Sequence, residues 1–147
     1  MSTTFHGRAV LAGEVSGEAL VTRRPFNTLA SFIKCLTTGA KKAVCSDQDN
    51  PDLFGKVLTG TLLCLPQTIG STAAGLILET AVHKDVAPAA LLFSESIDTL
   101  AASGAILADV WVGKRIVVVD RLGPEFLDAA RDGQTLEVRA DGTVRSA

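Results

Sequence analysis

The sequence predicts an α/β domain built on a mixed sheet or partial barrel with flanking helices. Three observations carry this. The run KRIVVVD, Lys114 to Asp120, is continuous and rich in β-branched residues, the pattern of a strand buried on both faces. Strand-like and helix-like segments alternate through the middle of the chain. The chain closes on two short apolar stretches joined by Ala140-Asp141-Gly142, a hairpin pattern.

From the N-terminus, Arg8 to Val21 holds the strand formers Val10, Leu11, Val15, Leu20 and Val21. Gly13 and Gly17 divide it into two short strands with a turn or bulge. Arg23 to Gly55 is less regular. It contains TLASFIKCL, which is helical or extended, and SDQDNPD, which reads as a loop. Lys56 to Leu65 is a strand candidate containing Gly60. Ile69-Gly70-Ser71 reads as a turn, and Ala73 to Lys84 as a helix with small residues on one side. Ser71 or Thr72 is placed to cap that helix, since either hydroxyl can accept an orphan backbone N–H.

Ala89 to Phe93 is a short buried strand. Ile97 to Ser103 reads as a helix stopped at Gly104, and Ala105 to Val110 as a further strand-like piece. Pro124 to Arg131 is a helix begun by proline. Leu136 to Val138 and Thr143 to Val144 form the closing hairpin. There is no internal repeat, low-complexity tract or linker, so residues 1–147 read as one domain.

Composition narrows the function. The 14 basic and 16 acidic residues leave a net charge of −2, with no electrostatic footprint for nucleic acid or an anionic membrane. Six Phe, one Trp and no Tyr give no stacking surface for single-stranded nucleic acid. No apolar run reaches the roughly 18–20 residues that cross a bilayer. The first residues lack a basic-then-apolar signal pattern, so a cytoplasmic location is expected. Cys35, Cys45 and Cys64 show no CxxC pair and no iron–sulfur spacing. They read as isolated thiols, and no metal site is expected within this chain.

The chemistry candidate is Gly70-Ser71-Thr72, between the strand KVLTGTLLCLP and the helix TAAGLILETAV. A strand–turn–helix puts a small hydroxyl at a helix N-terminus, where N–H groups and the dipole favour anions. A carboxylate substrate can bind there, and the same field favours a serine alkoxide acting as base on an adjacent C–H. The plain alternative is an ordinary helix cap. The pattern is neither GxSxG nor GxxxxGK[ST], so a hydrolase elbow and a nucleotide loop are not indicated. His6 and His83 are too separated to suggest a triad. Asp47, Asp49 and Asp52 lack the glycine and distal glutamate of a calcium loop and read as a solvated loop.

The order of segments carries a family resemblance. GRAVLAGEVSGEALV, GKVLTGTLLCLPQTIGSTAAGLILETA, VAPAALLF and AASGAILADV, spread over Gly7 to Val119, resemble the aconitase X swivelling domain. The most specific part is the proline–glycine–serine turn, Pro66 to Ser71. The resemblance implies a swivelling β/β/α fold and a dehydratase that eliminates water from a hydroxy acid. It implies that this chain is a small subunit, inactive without its large subunit, in a heterodimer or higher complex. It maps the family's catalytic base onto Ser71, with Gly70 and Thr72 as substrate-binding neighbours. It places iron, as a single ion or an iron–sulfur cluster, in the large subunit.

The substrate the resemblance implies first is cis-3-hydroxy-L-proline, used by bacterial members. Phosphomevalonate, used by archaeal members, is the alternative, and a non-catalytic carboxylate-binding or interaction domain is a further reading. Many relatives carry Ser-Phe-Trp-Gly-Gly where Ser31-Phe32-Ile33-Lys34-Cys35 stands here, in a segment ending Thr38-Gly39 that is expected to be a loop facing the cleft. Lys34, Lys41 and Lys42 are the candidates for contacting a substrate phosphate, against a reading as solvated lysines.

Overall fold

The computed structural model describes residues 2–146. Ten strands, four α-helices and one π-helical segment follow one another among these residues. They are β1 (Thr4–His6), β2 (Arg8–Leu11), β3 (Val15–Val21), β4 (Phe26–Asn27) and α1 (Thr28–Thr38), then β5 (Leu62–Leu65), β6 (Thr68–Ile69) and α2 (Ala74–His83). After these come β7 (Ala90–Phe93), α3 (Thr99–Leu107), the π segment Ala108–Val112, β8 (Val117–Asp120), α4 (Pro124–Ala129), β9 (Thr135–Val138) and β10 (Thr143–Ser146).

Eight strands make one mixed sheet in the order β1-β10-β9-β3-β5-β7-β8-β2. β3 is the joint. Its first half pairs antiparallel with β9, from Val15↔Val138 to Glu18↔Thr135. Its second half pairs parallel with β5, from Ala19↔Leu62 to Val21↔Cys64. β5, β7 and β8 continue the parallel set. The outermost strands β1 and β2 are separated in sequence only by Gly7, so the sheet curls until its edges meet. At that seam a Cβ on Gly7 would lie 2.6 Å from the Asp120 carbonyl oxygen, a contact only glycine avoids. The mixed sheet or partial barrel with flanking helices expected from the sequence is therefore present.

Period-2 alternation then sorts the side chains. Leu62, Cys64, Ala90, Leu92, Val117 and Val119 fill the inside of the curl, where Phe126 and Leu127 of α4 close the core. Leu63, Leu65, Leu91, Phe93 and Val118 point outward to a layer formed by α1, α2 and α3. Burial on both faces is why β5 and β7 are apolar throughout, and β8 is apolar up to Asp120, rather than alternating.

Three expectations need correction. Gly104 does not stop a helix: α3 runs through it and passes into the π segment, so Ala105 to Val110 is helical rather than strand-like. The parallel set has no vacant edge for that strand, because β8 is flanked by β7 and β2. The strand expected from Lys56 begins only at Leu62, because Thr61 N–H bonds the Leu58 carbonyl at 3.2 Å and Gly60 turns at φ 75°. The segment Ser31 to Gly39 is not a cleft loop: it is α1, with Asn27 as its N-cap and Gly39 as its left-handed C-cap. No helix among the described residues is long and apolar enough to cross a membrane.

Candidate functional site

The carboxyl ends of the parallel strands share one rim, where ligands bind in open α/β sheets. After β3 comes Thr22 to Pro25, after β5 comes Pro66 to Ala73, after β7 comes Ser94 to Asp98, and after β8 comes Arg121 to Gly123. α1, α2 and α3 each begin at this rim and run away from it. Three helix N-termini are thus turned toward the same end of the sheet, each with the positive end of its dipole.

The turn Gly70-Ser71-Thr72 stands between β6 and α2, with all three residues exposed. It is held from two sides. β6 pairs with β4 in parallel, Phe26↔Thr68 and Asn27↔Ile69. On the other side, the Asp98 carboxylate accepts from the Thr68 amide at 2.8 Å and from the Thr68 hydroxyl at 2.5 Å. The same carboxylate accepts from Ala101 N–H at 3.1 Å and so caps α3. Asn27 does the equivalent for α1, accepting from Ala30 N–H at 3.0 Å. A Cβ added to Gly70 would lie 3.7 Å from that Asn27 side-chain oxygen, and Gly70 holds φ 141°, a conformation other residues rarely adopt.

Neither Ser71 nor Thr72 caps α2. The N-cap position is Ala73, which makes no side-chain cap bond, and the link there is Ala74 N–H to the Ser71 carbonyl at 3.0 Å. Among the described residues neither hydroxyl donates to or accepts from another group. The cap reading of Ser71 is therefore replaced by an exposed, uncommitted hydroxyl at a helix entrance.

Several sequence candidates are not brought to this turn. His83 lies at the far end of α2, and His6 lies in β1 opposite Thr143. Lys34 and Lys42 line a different cleft of about 400 Å³ with Cys45 and Phe54. Lys41 lies with Lys84 past the C-terminal end of α1. The acidic loop is less solvated than expected. Asp47 is buried and accepts from Asp49 N–H at 3.0 Å, while Asp52 ties down Thr22 Oγ1 at 3.2 Å and Arg23 N–H at 2.9 Å.

Sequence reasoning missed Asn27, Asp98 and Arg121. The first two had a signal, since Asn and Asp before a helical run are N-caps. Arg121 had none, because strand ends far apart in sequence assemble the rim. Below it, Asp120 is fully buried, chelated by Arg8 at 2.9 and 2.6 Å, and accepts from Ile97 N–H at 2.8 Å. Burial pushes this carboxyl up, but the Arg8 guanidinium and the Ile97 amide outweigh it and hold Asp120 below the usual carboxylate range.

No three His, Cys, Asp or Glu side chains among the described residues are grouped to hold a metal ion. All three cysteines are buried, and burial pushes the Cys64 thiol up to about 12, keeping it neutral. These residues do not fit an iron centre.

Comparison with known proteins covers the whole of this architecture. The chain is 32% identical to the phosphomevalonate dehydratase small subunit of Thermococcus sibiricus, over 92% of this chain and 91% of that protein. It is 30% identical to the protein of the same name from Archaeoglobus fulgidus, over 93% and 92%. The crystal structure of Thermococcus kodakaraensis aconitase X in its holo form superposes with a TM-score of 0.82 at 24% identity, covering 99% of this chain and 98% of that one. The family description "Aconitase X swivel domain" matches residues 4–146, nearly end to end, and the chain belongs to that family.

Proposed function

We propose that this chain is the small subunit of an aconitase X type dehydratase that removes water from phosphomevalonate, with Ser71 as general base. The observation that carries the base assignment is the free, exposed Ser71 hydroxyl at the entrance to α2, on a turn clamped by Asn27 and Asp98. The names of the relatives support phosphomevalonate over cis-3-hydroxy-L-proline, the substrate expected first.

In this reading the substrate carboxylate faces the unpaired N–H groups at the start of α2. The C–H bond beside that carboxylate breaks, and its proton passes to Ser71 Oγ. The helix N-termini stabilise the charge that builds on the carboxylate as the proton leaves. Gly70 and Thr72 shape the turn. The clamp on Thr68 keeps the hydroxyl in place without using it. The group that receives the departing hydroxyl belongs to the large subunit, as does the iron that the family resemblance implies. Each subunit then holds half of the chemistry, and closure of the two excludes water.

The test is co-expression with the neighbouring large-subunit reading frame, followed by assay against 5-phosphomevalonate and cis-3-hydroxy-L-proline. Dehydration of phosphomevalonate by the complex, and by neither chain alone, is expected. Turnover of hydroxyproline instead would reassign the substrate. Absence of turnover with either, in an assembled complex, would favour a non-catalytic carboxylate-binding domain.

A further inference from the structure

Arg121 stands apart from almost every other arginine in the chain. Arg8, Arg115, Arg139 and Arg145 each donate to a carboxylate. Arg23 and Arg131 donate to backbone carbonyls at the end of α4. Among the described residues only Arg24 and Arg121 serve neither purpose, and both follow the carboxyl end of a parallel strand, β3 and β8 respectively.

Arg121 is also held in an unusual way. It adopts φ 58°, in the left-handed region that non-glycine residues seldom occupy unless their surroundings impose it. Here the surroundings are the loop after β7. Arg121 N–H donates to the Glu95 carbonyl at 3.0 Å, and Gly123 N–H to the Ser94 carbonyl at 2.8 Å. The side chain is fixed too, Nε donating to Ser96 Oγ at 3.1 Å. One of the five guanidinium donors is therefore used for aiming, and among the described residues the other four have no partner.

The same loop reaches the Ser71 turn. Ser96 holds Arg121, and Asp98 holds Thr68. Ser96 and Asp98 lie two residues apart, so their Cα atoms are separated by at most roughly 7 Å. Thr68 and Ser71 are three residues apart, at most roughly 11 Å. The guanidinium and the Ser71 turn thus lie on one hydrogen-bonded rim, past the carboxyl ends of β8 and β5, which β7 alone separates. A second anionic group at the far end of an extended substrate suits a planar cationic fork, which can grip a phosphate through two parallel N–H donors where an ammonium acts as a point charge.

We propose that Arg121 is a specificity-determining residue that binds the phosphate of the substrate while the Ser71 turn receives its carboxylate. The proposal rests on the dehydratase reading above and replaces Lys34, Lys41 and Lys42 as the phosphate contacts.

The test uses the assembled complex with Arg121→Gly and Arg121→Lys. Glycine accepts φ 58° without strain, so it removes the guanidinium and leaves the turn. For Arg121→Gly, kcat/KM for 5-phosphomevalonate is expected to fall at least about tenfold, mainly through KM, with partial recovery in Arg121→Lys. Calorimetric titration with inorganic phosphate is expected to show binding to the wild-type complex that Arg121→Gly loses. Unchanged KM in a complex that turns over phosphomevalonate would overturn the role of Arg121 and leave the dehydratase reading standing. Loss of phosphate binding in Arg121→Gly, in a complex that does not use phosphomevalonate, would reject the substrate and keep the anion site. Equal phosphate binding by both, or none by either together with no effect on KM or no turnover, would overturn the proposal.

Discussion

Gly104 of α3 lies directly on Gly75 of α2: a Cβ on Gly104 would be 2.4 Å from the Gly75 carbonyl oxygen and 2.9 Å from Leu78 Cβ. In return, a Cβ on Gly75 would meet Leu100 O at 3.1 Å. This pair sets the spacing of two of the three helices that start at the Ser71 rim. Gly104→Ala is therefore expected to force the helices apart and cost about 1–3 kcal/mol, although alanine ordinarily favours a helix. Urea denaturation of the variant checks this, and unchanged stability would show that the layer adjusts freely.

Ser71→Ala is expected to lower kcat of the reconstituted complex by at least about 100-fold. Its effect on stability should be small, because the hydroxyl caps nothing here, whereas loss of a working cap would cost about 0.5–2 kcal/mol. Thr72→Ala is the control and should matter less. The measurements are kcat beside the melting temperature. An active Ser71→Ala complex with a lowered melting point would restore the cap and remove the base.

Asp120 predicts a dependence on acid. Its folded-state pKa lies below the ordinary value of 3.8, so the ionised pair with Arg8 adds stability above that value. The contribution is lost as pH falls through the depressed pKa. Melting curves of wild type and Asp120→Asn should therefore be furthest apart near neutrality and converge below about pH 4. A gap that stays constant down to pH 2 would mean the carboxylate is not the source.

Cys64 should resist thiol reagents in the folded chain, since its thiol is neutral at physiological pH and fully enclosed. Labelling that appears only in denaturant is the expected result. Changing Cys35, Cys45 and Cys64 to alanine should leave the iron content of the complex unaltered. Iron lost from a complex that still assembles would make one of them a ligand.

The strands of this fold were legible because burial on two faces leaves a local mark: LLCL, ALLF and the VVV of β8 must be apolar at every position to serve both the barrel interior and the helix layer. The closing hairpin and the helix after Pro124 were legible for similar local reasons, in turn chemistry and fixed φ. The turn Gly70-Ser71-Thr72 was also visible, as a strand–turn–helix junction, although its link to a base came from resemblance. The misreading of Gly104 shows the limit. In sequence a glycine after an alanine-rich run signals a helix end, and only contact with Gly75 explains why the helix continues. The rim followed the same logic. Asn27 ends β4 while Ser71, Asp98 and Arg121 lie on three separate loops, and no periodicity links them. Parallel pairing of β3, β5, β7 and β8 brings their ends together, because parallel strands put every carboxyl terminus on one side. Local propensity and burial wrote the elements into the chain, while long-range pairing alone decided which residues share the rim.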